Sequence, residues 1–234
     1  MTSIQEMFHI RLYDIVPSDF NHRNNGGSDI SLSLPVIHFY AGKCKHITEF
    51  GVRNGYSCVA LMFGVGKEGK LISYDITHTD FINEFKEVCK NEGYNWIFNQ
   101  KSTIDEDLNI EETDLLFIDT VHTRNHVDRE LRQVSRVRKY IIFHDSSTCY
   151  NQDSSSDHTM EGIGVSIENL LATNQWDIEY QTYTNNGLMI LERNDRNSID
   201  MKPIHIWKNN RFERVGEVKK ELKCEVKEVE PISE

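Results

Sequence analysis

The chain has 234 residues and a formal net charge of −11, a length that supports one domain with a sizeable core. That charge speaks against broad binding to nucleic acid or to an anionic membrane surface, and no run of about 18 apolar residues exists to span a bilayer. The five cysteines, Cys44, Cys58, Cys89, Cys149 and Cys224, show no Cys-x-x-Cys spacing, which predicts reduced thiols in a cytoplasmic setting and argues against a zinc site.

The first eight residues lack the charged-then-apolar pattern of a signal peptide. Residues 1–45 read as an N-terminal helical and loop segment. A polar stretch, Asn21-His-Arg-Asn-Asn-Gly-Gly-Ser, makes the segment a candidate lid over a ligand. From residue 46 short apolar runs alternate with helical periodicity. Strands are predicted at 47–51, 70–75, 94–98, 113–119 and 139–145. Helices are predicted at 56–65, 79–92 and 122–137, with a further helix carrying Ile163, Ile167, Leu170 and Leu171 inward. Two last strands, 175–183 and 187–193, flank an Asn-Gly turn and should run antiparallel. The pattern predicts an α/β fold with a Rossmann-like, seven-stranded, mostly parallel sheet closed by an antiparallel hairpin, with helices on both faces. The central domain is read as 46–193 and the C-terminal extension as 194–234. Within the extension, the alternating residues from about 219 fit an edge strand, a partner-binding strand or a frayed helix.

The organising stretch is His46-Ile-Thr-Glu-Phe-Gly-Val-Arg-Asn-Gly-Tyr-Ser. A strand, a turn holding Gly51 and Gly55, and a helix open a nucleotide-binding sheet, with glycines expected where a side chain would meet a ligand. Glu49 sits just before the turn, where it would repel a pyrophosphate. It suits a positively charged ligand such as the amino and sulfonium groups of S-adenosylmethionine. Asp75 ends the second strand, 20 residues after Gly55, and is placed to accept hydrogen bonds from ribose hydroxyls.

Asp119 and Asp145 end the next two strands of the parallel series. Two carboxylates meeting at one cleft need a proton or a cation between them. Mg²⁺ suits the pair, and Ser146 could add a hydroxyl. The alternative is that Asp119 caps the following helix and Asp145 receives hydrogen bonds from cofactor or substrate. His122 is the candidate base for a substrate hydroxyl. His144 alternates to the other face of its strand and reads as structural, while His126 reads as a solvated helix position.

Thr48-Glu-Phe-Gly-Val-Arg-Asn-Gly-Tyr-Ser-Cys-Val-Ala-Leu resembles the cofactor motif of class I S-adenosylmethionine-dependent methyltransferases. Leu115-Leu-Phe-Ile-Asp-Thr-Val-His, Tyr140-Ile-Ile-Phe-His-Asp and Asn185-Asn-Gly-Leu-Met-Ile-Leu resemble, in order, later motifs of a small-molecule O-methyltransferase group. That group includes macrolide-sugar and cephalosporin-tailoring relatives. The resemblance covers about residues 46–193. It implies that Glu49, Gly51 and Gly55 hold the methionine part of the cofactor, Asp75 the ribose, and Ser102 the adenine side. It also implies a site in which Asp119 serves cofactor, metal and catalysis, with Asp145 and Ser146 as further metal positions and His122 as base. The chain departs from the group at Arg136-Val-Arg-Lys, where Gly-Gly is usual, and at Thr120-Val121. A third departure is Ser146, which stands where Asp or Asn often completes the metal site.

The expected partner is a small hydroxylated acceptor, with a sugar favoured by the resemblance; a homodimer contact through the N-terminal segment or tail is open. Two other classes compete. Gly51, Gly55 and Asp75 also fit a nicotinamide-dependent oxidoreductase, and the fold could serve as a non-catalytic binding module.

Overall fold

The alternating apolar runs form a seven-stranded sheet in the computed structural model, which describes residues 2–14, 28–153, 160–194, 202–208 and 211–218. The strands are β1 (His46–Phe50), β2 (Lys70–Asp75), β3 (Asn95–Gln100), β4 (Thr113–Ile118), β5 (Val137–His144), β6 (Trp176–Thr182) and β7 (Leu188–Arg193). Their order is β3-β2-β1-β4-β5-β7-β6. The first five are parallel, and β7 runs antiparallel to both β5 and β6. This is the mostly parallel sheet with an antiparallel closing hairpin that the periodicity predicts.

The interior strands explain why their sequences are continuous rather than alternating. Ile47 and Phe50 on β1, Leu115 and Phe117 on β4, and Ile141 to Phe143 on β5 are all fully buried. A parallel strand covered on both faces has no solvent side on which to place polar residues. At the sheet edge β3 alternates instead, with Asn95 and Ile97 exposed.

The helices are α1 (Ile4–Tyr13), α2 (Leu34–Ala41), α3 (Tyr56–Val65), α4 (Asp80–Glu92), α5 (Arg124–Glu130) and α6 (Gly164–Ala172). A capping box starts α1: Ser3 Oγ accepts from the Glu6 amide at 3.1 Å, and Glu6 Oε2 accepts from the Ser3 amide at 2.7 Å. Ile4, Met7 and Phe8 then lie on one face and join the central core, with Phe8 against the rings of His38 and Phe63. Helix α3 is apolar almost all round because α1 and α2 cover the side that the sheet does not. The polar stretch 21–27, on which the lid expectation rests, lies outside the described residues.

Two boundaries differ from expectation. The helix predicted at 122–137 starts only at Arg124, because the Thr123 side chain caps it by accepting from the His126 amide. It gives way to a 3-10 turn over 131–136, and β5 begins at Val137. His122 is therefore a loop residue.

The hairpin turn predicted at Asn-Gly is made by Asn185, Asn186 and Gly187, all at positive φ. The chain divides into two units, Met1–Arg193 and Asn194–Glu234. In the second, β8 (Lys202–Lys208) and β9 (Arg211–Val218) form an antiparallel pair of their own. Residues 219–234 lie outside the described set. No helix among the described residues is long and apolar enough to cross a membrane.

Candidate active site

The strand order reverses between β1 and β4, and an open α/β sheet offers its ligand crevice at the carboxyl ends of strands around such a point. Glu49, Asp75, Asp119 and Asp145 all fall at these ends. The turn leaving β1 is fixed by its own chain. Gly51 has φ +89°, and a Cβ there would lie 2.1 Å from the Asp119 carbonyl oxygen. Gly55 has φ +75°, and its Cβ would lie 2.0 Å from the Phe81 ring. Glycine is thus required at both positions by close approach of neighbouring protein, whereas the sequence argument had invoked the ligand. Gly55 is also the N-cap of α3 and supplies no side-chain hydrogen bond, so the first amides of that helix keep unused donors.

Glu49 is completely buried. Its Oε1 accepts from Ser57 Oγ at 2.7 Å and its Oε2 from Ser73 Oγ at 2.6 Å, while Trp96 Nε1 donates to Ser73 Oγ at 2.9 Å. Burial pushes its pKa up to about 7, against the opposing bonds from Ser73 and Ser57. Glu49 therefore reaches the crevice through Ser57 at the start of α3, not as an open carboxylate. Asp75 holds the turn directly. Its Oδ2 accepts from the amides of Val52 at 2.8 Å and Arg53 at 3.0 Å, and its Oδ1 from Thr77 at 2.8 Å. Those bonds leave acceptor capacity on both oxygens.

Ser102 lies half-buried in the loop after β3, its Oγ accepting from the Ile104 amide at 3.4 Å. Beside it stands a network that the sequence reading missed. Glu130, fully buried on α5, accepts from Thr103 Oγ1 at 2.5 Å and from Thr120 Oγ1 at 2.7 Å. His126 Nε2 lies 3.4 Å from the same oxygen, so His126 is not the solvated position expected. The visible signal was an acid on the inward stripe of α5, three residues after the buried Val127.

The second half of the site lies between β4 and β5. Ile118 pairs with Phe143 in parallel register, so Asp119 and His144 come next, side by side on one face. Asp145 then takes a left-handed backbone, φ +53°, which interrupts the strand alternation and brings its carboxylate back to the same place. His144, expected on the other face, is consequently part of the cluster. Its Nδ1 lies 3.3 Å from Asp119 Oδ1 and 3.4 Å from Asp145 Oδ1. His122 Nε2 lies 3.3 Å from Asp119 Oδ1 and 3.2 Å from Asp145 Oδ2. Ser146 is completely buried, with its Oγ unpartnered among the described residues.

Electrostatics follow from this packing. Burial opposes charge on His144, but the Asp119 and Asp145 carboxylates overcome it and raise its pKa to about 9. Burial likewise opposes charge on His122, and the Asp119 hydrogen bond with the charges of Asp145 and Asp119 raises its pKa. Burial also works against Asp119, yet the His144 charge and the two imidazole hydrogen bonds hold its carboxyl well below the usual range. Asp145 moves the other way, raised by burial beyond what the two imidazoles offset.

Two groups of side chains present their ligand atoms close enough together to hold a metal ion: Asp119, His144 and Asp145, and His122, Asp145 and Cys149. The pair Asp119 and Asp145 thus fits a divalent cation, with an imidazole nitrogen taking part in either group. The Cys149 thiol is pushed up to about 11 by burial, which keeps it protonated near neutrality.

No protein-family model and no curated protein sequence matches the chain. Solved structures do. A Staphylococcus aureus protein provisionally named a caffeoyl-CoA O-methyltransferase is 14% identical, with a TM-score of 0.57 over 83% of this chain and 93% of that one. A methyltransferase of Podospora anserina, bound to S-adenosylhomocysteine, is 16% identical with a TM-score of 0.52, over 82% of this chain and 88% of its own. An O-methyltransferase of Bacillus cereus, also in complex with S-adenosylhomocysteine, is 16% identical with a TM-score of 0.51, over 82% and 90%. At these identities the likeness is one of architecture: the chain shares the fold of these methyltransferase structures.

Proposed function

We propose that this protein transfers a methyl group from S-adenosylmethionine to a hydroxyl oxygen of a small polar acceptor, with a sugar or comparable metabolite as the leading class. The observation that carries the reading is His122 Nε2 lying 3.3 Å from Asp119 and 3.2 Å from Asp145 at the strand ends beside the glycine turn. S-adenosylmethionine, when bound, supplies an electrophilic methyl carbon. Gly51 and Gly55 shape the turn that would receive its methionine part, with Glu49 acting through Ser57. Asp75 would accept from the ribose, and Ser102 would lie on the adenine side. Asp119 borders both the cofactor and the acceptor positions.

His122 would take the acceptor proton at Nε2, and the carboxylates of Asp119 and Asp145 would stabilise the imidazolium that results. Holding oxygen and methyl carbon in near-attack geometry is the remaining task of the site. A divalent ion held by Asp119 and Asp145, with Ser146 beside them, would acidify the acceptor hydroxyl. The antiparallel β7 between β5 and β6 departs from the parallel 3-2-1-4-5-6 sheet of dinucleotide enzymes. That difference favours methyl transfer over the nicotinamide alternative, and the presence of Glu49 and Asp75 disfavours a non-catalytic binding module.

The test is calorimetric titration of chelator-treated protein with S-adenosylhomocysteine. Micromolar binding that is lost in Asp75→Ala supports the reading, and absence of binding by the folded wild type would overturn it.

A further inference from the structure

We propose that Asp119, His144 and Asp145 form a mixed nitrogen–oxygen site for a divalent transition ion of the manganese-to-zinc series, in preference to Mg²⁺. The ligand set rests on geometry alone; the ion's role in acidifying a hydroxyl rests on the O-methyltransferase reading.

Three observations carry this. First, the spacing is that of a coordination shell, longer than a tight ion pair although still within hydrogen-bond reach for His144 and Asp119. A charge-assisted N–H···O bond closes to about 2.7–2.9 Å. His144 Nδ1 instead stands 3.3 Å from Asp119 Oδ1 and 3.4 Å from Asp145 Oδ1. Donors bound tetrahedrally at about 2.0–2.1 Å lie about 3.3–3.4 Å from one another. Second, these donors have little else to do. Asp145 Oδ1 is buried with no hydrogen-bond partner among the described residues, and so is His144 Nε2. With His144 only 3% exposed, the polar contacts of its ring are those to the two carboxylates. Third, the Asp145 backbone is held in the left-handed region at φ +53° without being glycine. Such a conformation is unfavourable for an aspartate unless the surroundings impose it, and here it returns the carboxylate to the side of His144.

The donor types then choose among ions. Mg²⁺ takes oxygen ligands in near-ideal octahedral geometry and gives up water reluctantly. An imidazole between two carboxylates suits manganese, iron, cobalt or zinc, with affinity rising from manganese through iron to cobalt. Cysteine spacing alone speaks against zinc, but strand register brings in a histidine that spacing does not reveal.

The experiment uses chelator-stripped full-length protein titrated with Co²⁺, Zn²⁺ and Mg²⁺, together with the visible absorption of the Co²⁺ form. Saturable one-to-one Co²⁺ and Zn²⁺ binding is expected, with Mg²⁺ unable to displace either at equal concentration. His144→Asn should weaken Co²⁺ binding by at least about 10- to 100-fold, and Asp119→Asn should do the same. Circular dichroism reports whether each variant is folded, and the wild-type ion preference decides the matter if neither is. Equal affinity for Mg²⁺ and Co²⁺, or unchanged Co²⁺ binding by folded His144→Asn, would overturn the proposal. An intense near-ultraviolet thiolate band would also overturn it by placing the ion on Cys149. Titration of the same samples with S-adenosylhomocysteine separates the two readings. Protein that binds S-adenosylhomocysteine but takes up no dication would defeat the metal site alone, and protein that takes up Co²⁺ but does not bind S-adenosylhomocysteine would defeat only the methyltransferase assignment.

Discussion

The two halves of the crevice handle their polar atoms in opposite ways. On the β1–β2 side both Glu49 oxygens are taken by serine hydroxyls, and Asp75 accepts three backbone amides. On the β4–β5 side His144 Nε2, Asp145 Oδ1 and Ser146 Oγ are buried with no hydrogen-bond partner among the described residues, and His122 Nε2 meets only the carboxylates of Asp119 and Asp145, at 3.3 and 3.2 Å. Buried polar groups are normally paired, so an unpaired group marks a place where something else binds or reacts. The acids of the first half are satisfied and position a turn and a helix end, although Thr48 Oγ1 on β1 is buried with no partner among the described residues. The second leaves donors and acceptors for a ligand to complete. The difference teaches that acids at equivalent strand ends do not have equivalent roles.

Four substitutions test this contrast. The largest effect is expected at Gly51, where the two halves touch. Gly51→Ala would drive a Cβ to 2.1 Å from the Asp119 carbonyl at positive φ. A loss of about 4 kcal/mol is expected in urea unfolding, and near-wild-type stability would mean that the contact between the halves is looser than described.

Glu49→Gln probes the satisfied half through pH. The Glu49 pKa is about 7 folded against 4.5 for a free glutamate side chain. Between those values the folded protein keeps a proton that the unfolded chain has lost, so stability falls as pH rises. The wild type should lose about 3 kcal/mol relative to the glutamine variant between about pH 4.5 and 7, with no further change above. Parallel pH profiles for the two proteins would remove Glu49 as the cause.

His122→Ala probes the open half. Turnover should fall by about 100-fold or more, while S-adenosylhomocysteine affinity stays near wild type. Unchanged methyl transfer would take His122 out of the chemistry. The smallest effect belongs to Ser3→Ala, which removes the α1 cap away from both halves. It should cost about 1 kcal/mol and leave cofactor binding alone; a larger loss of binding would tie α1 to the crevice.

Much of the fold was legible along the chain because its signals are local. The run 56–65 is helix over the predicted span. The strand at 113–118 stands out by its unbroken apolar run over residues 115–118, since both faces are covered there. Asn185-Asn-Gly announced the antiparallel hairpin through the positive φ that those residues tolerate. The acids at the strand ends were legible too, because a strand that stops at an acid places it at the sheet edge.

His144 was not, since strict alternation holds only while the backbone stays extended, and Asp145 leaves that region. Glu130 was also hidden. Its partners Thr103 and Thr120 come from two different loops, one after β3 and one after β4, which meet only at Glu130 on α5. Sequence by itself therefore determined the order and kind of the elements and the acids that end them, because periodicity and turn chemistry act over a few residues. Tertiary structure alone decided which of those acids are satisfied and which remain open, because hydrogen bonding and charge depend on neighbours that the chain supplies from far away.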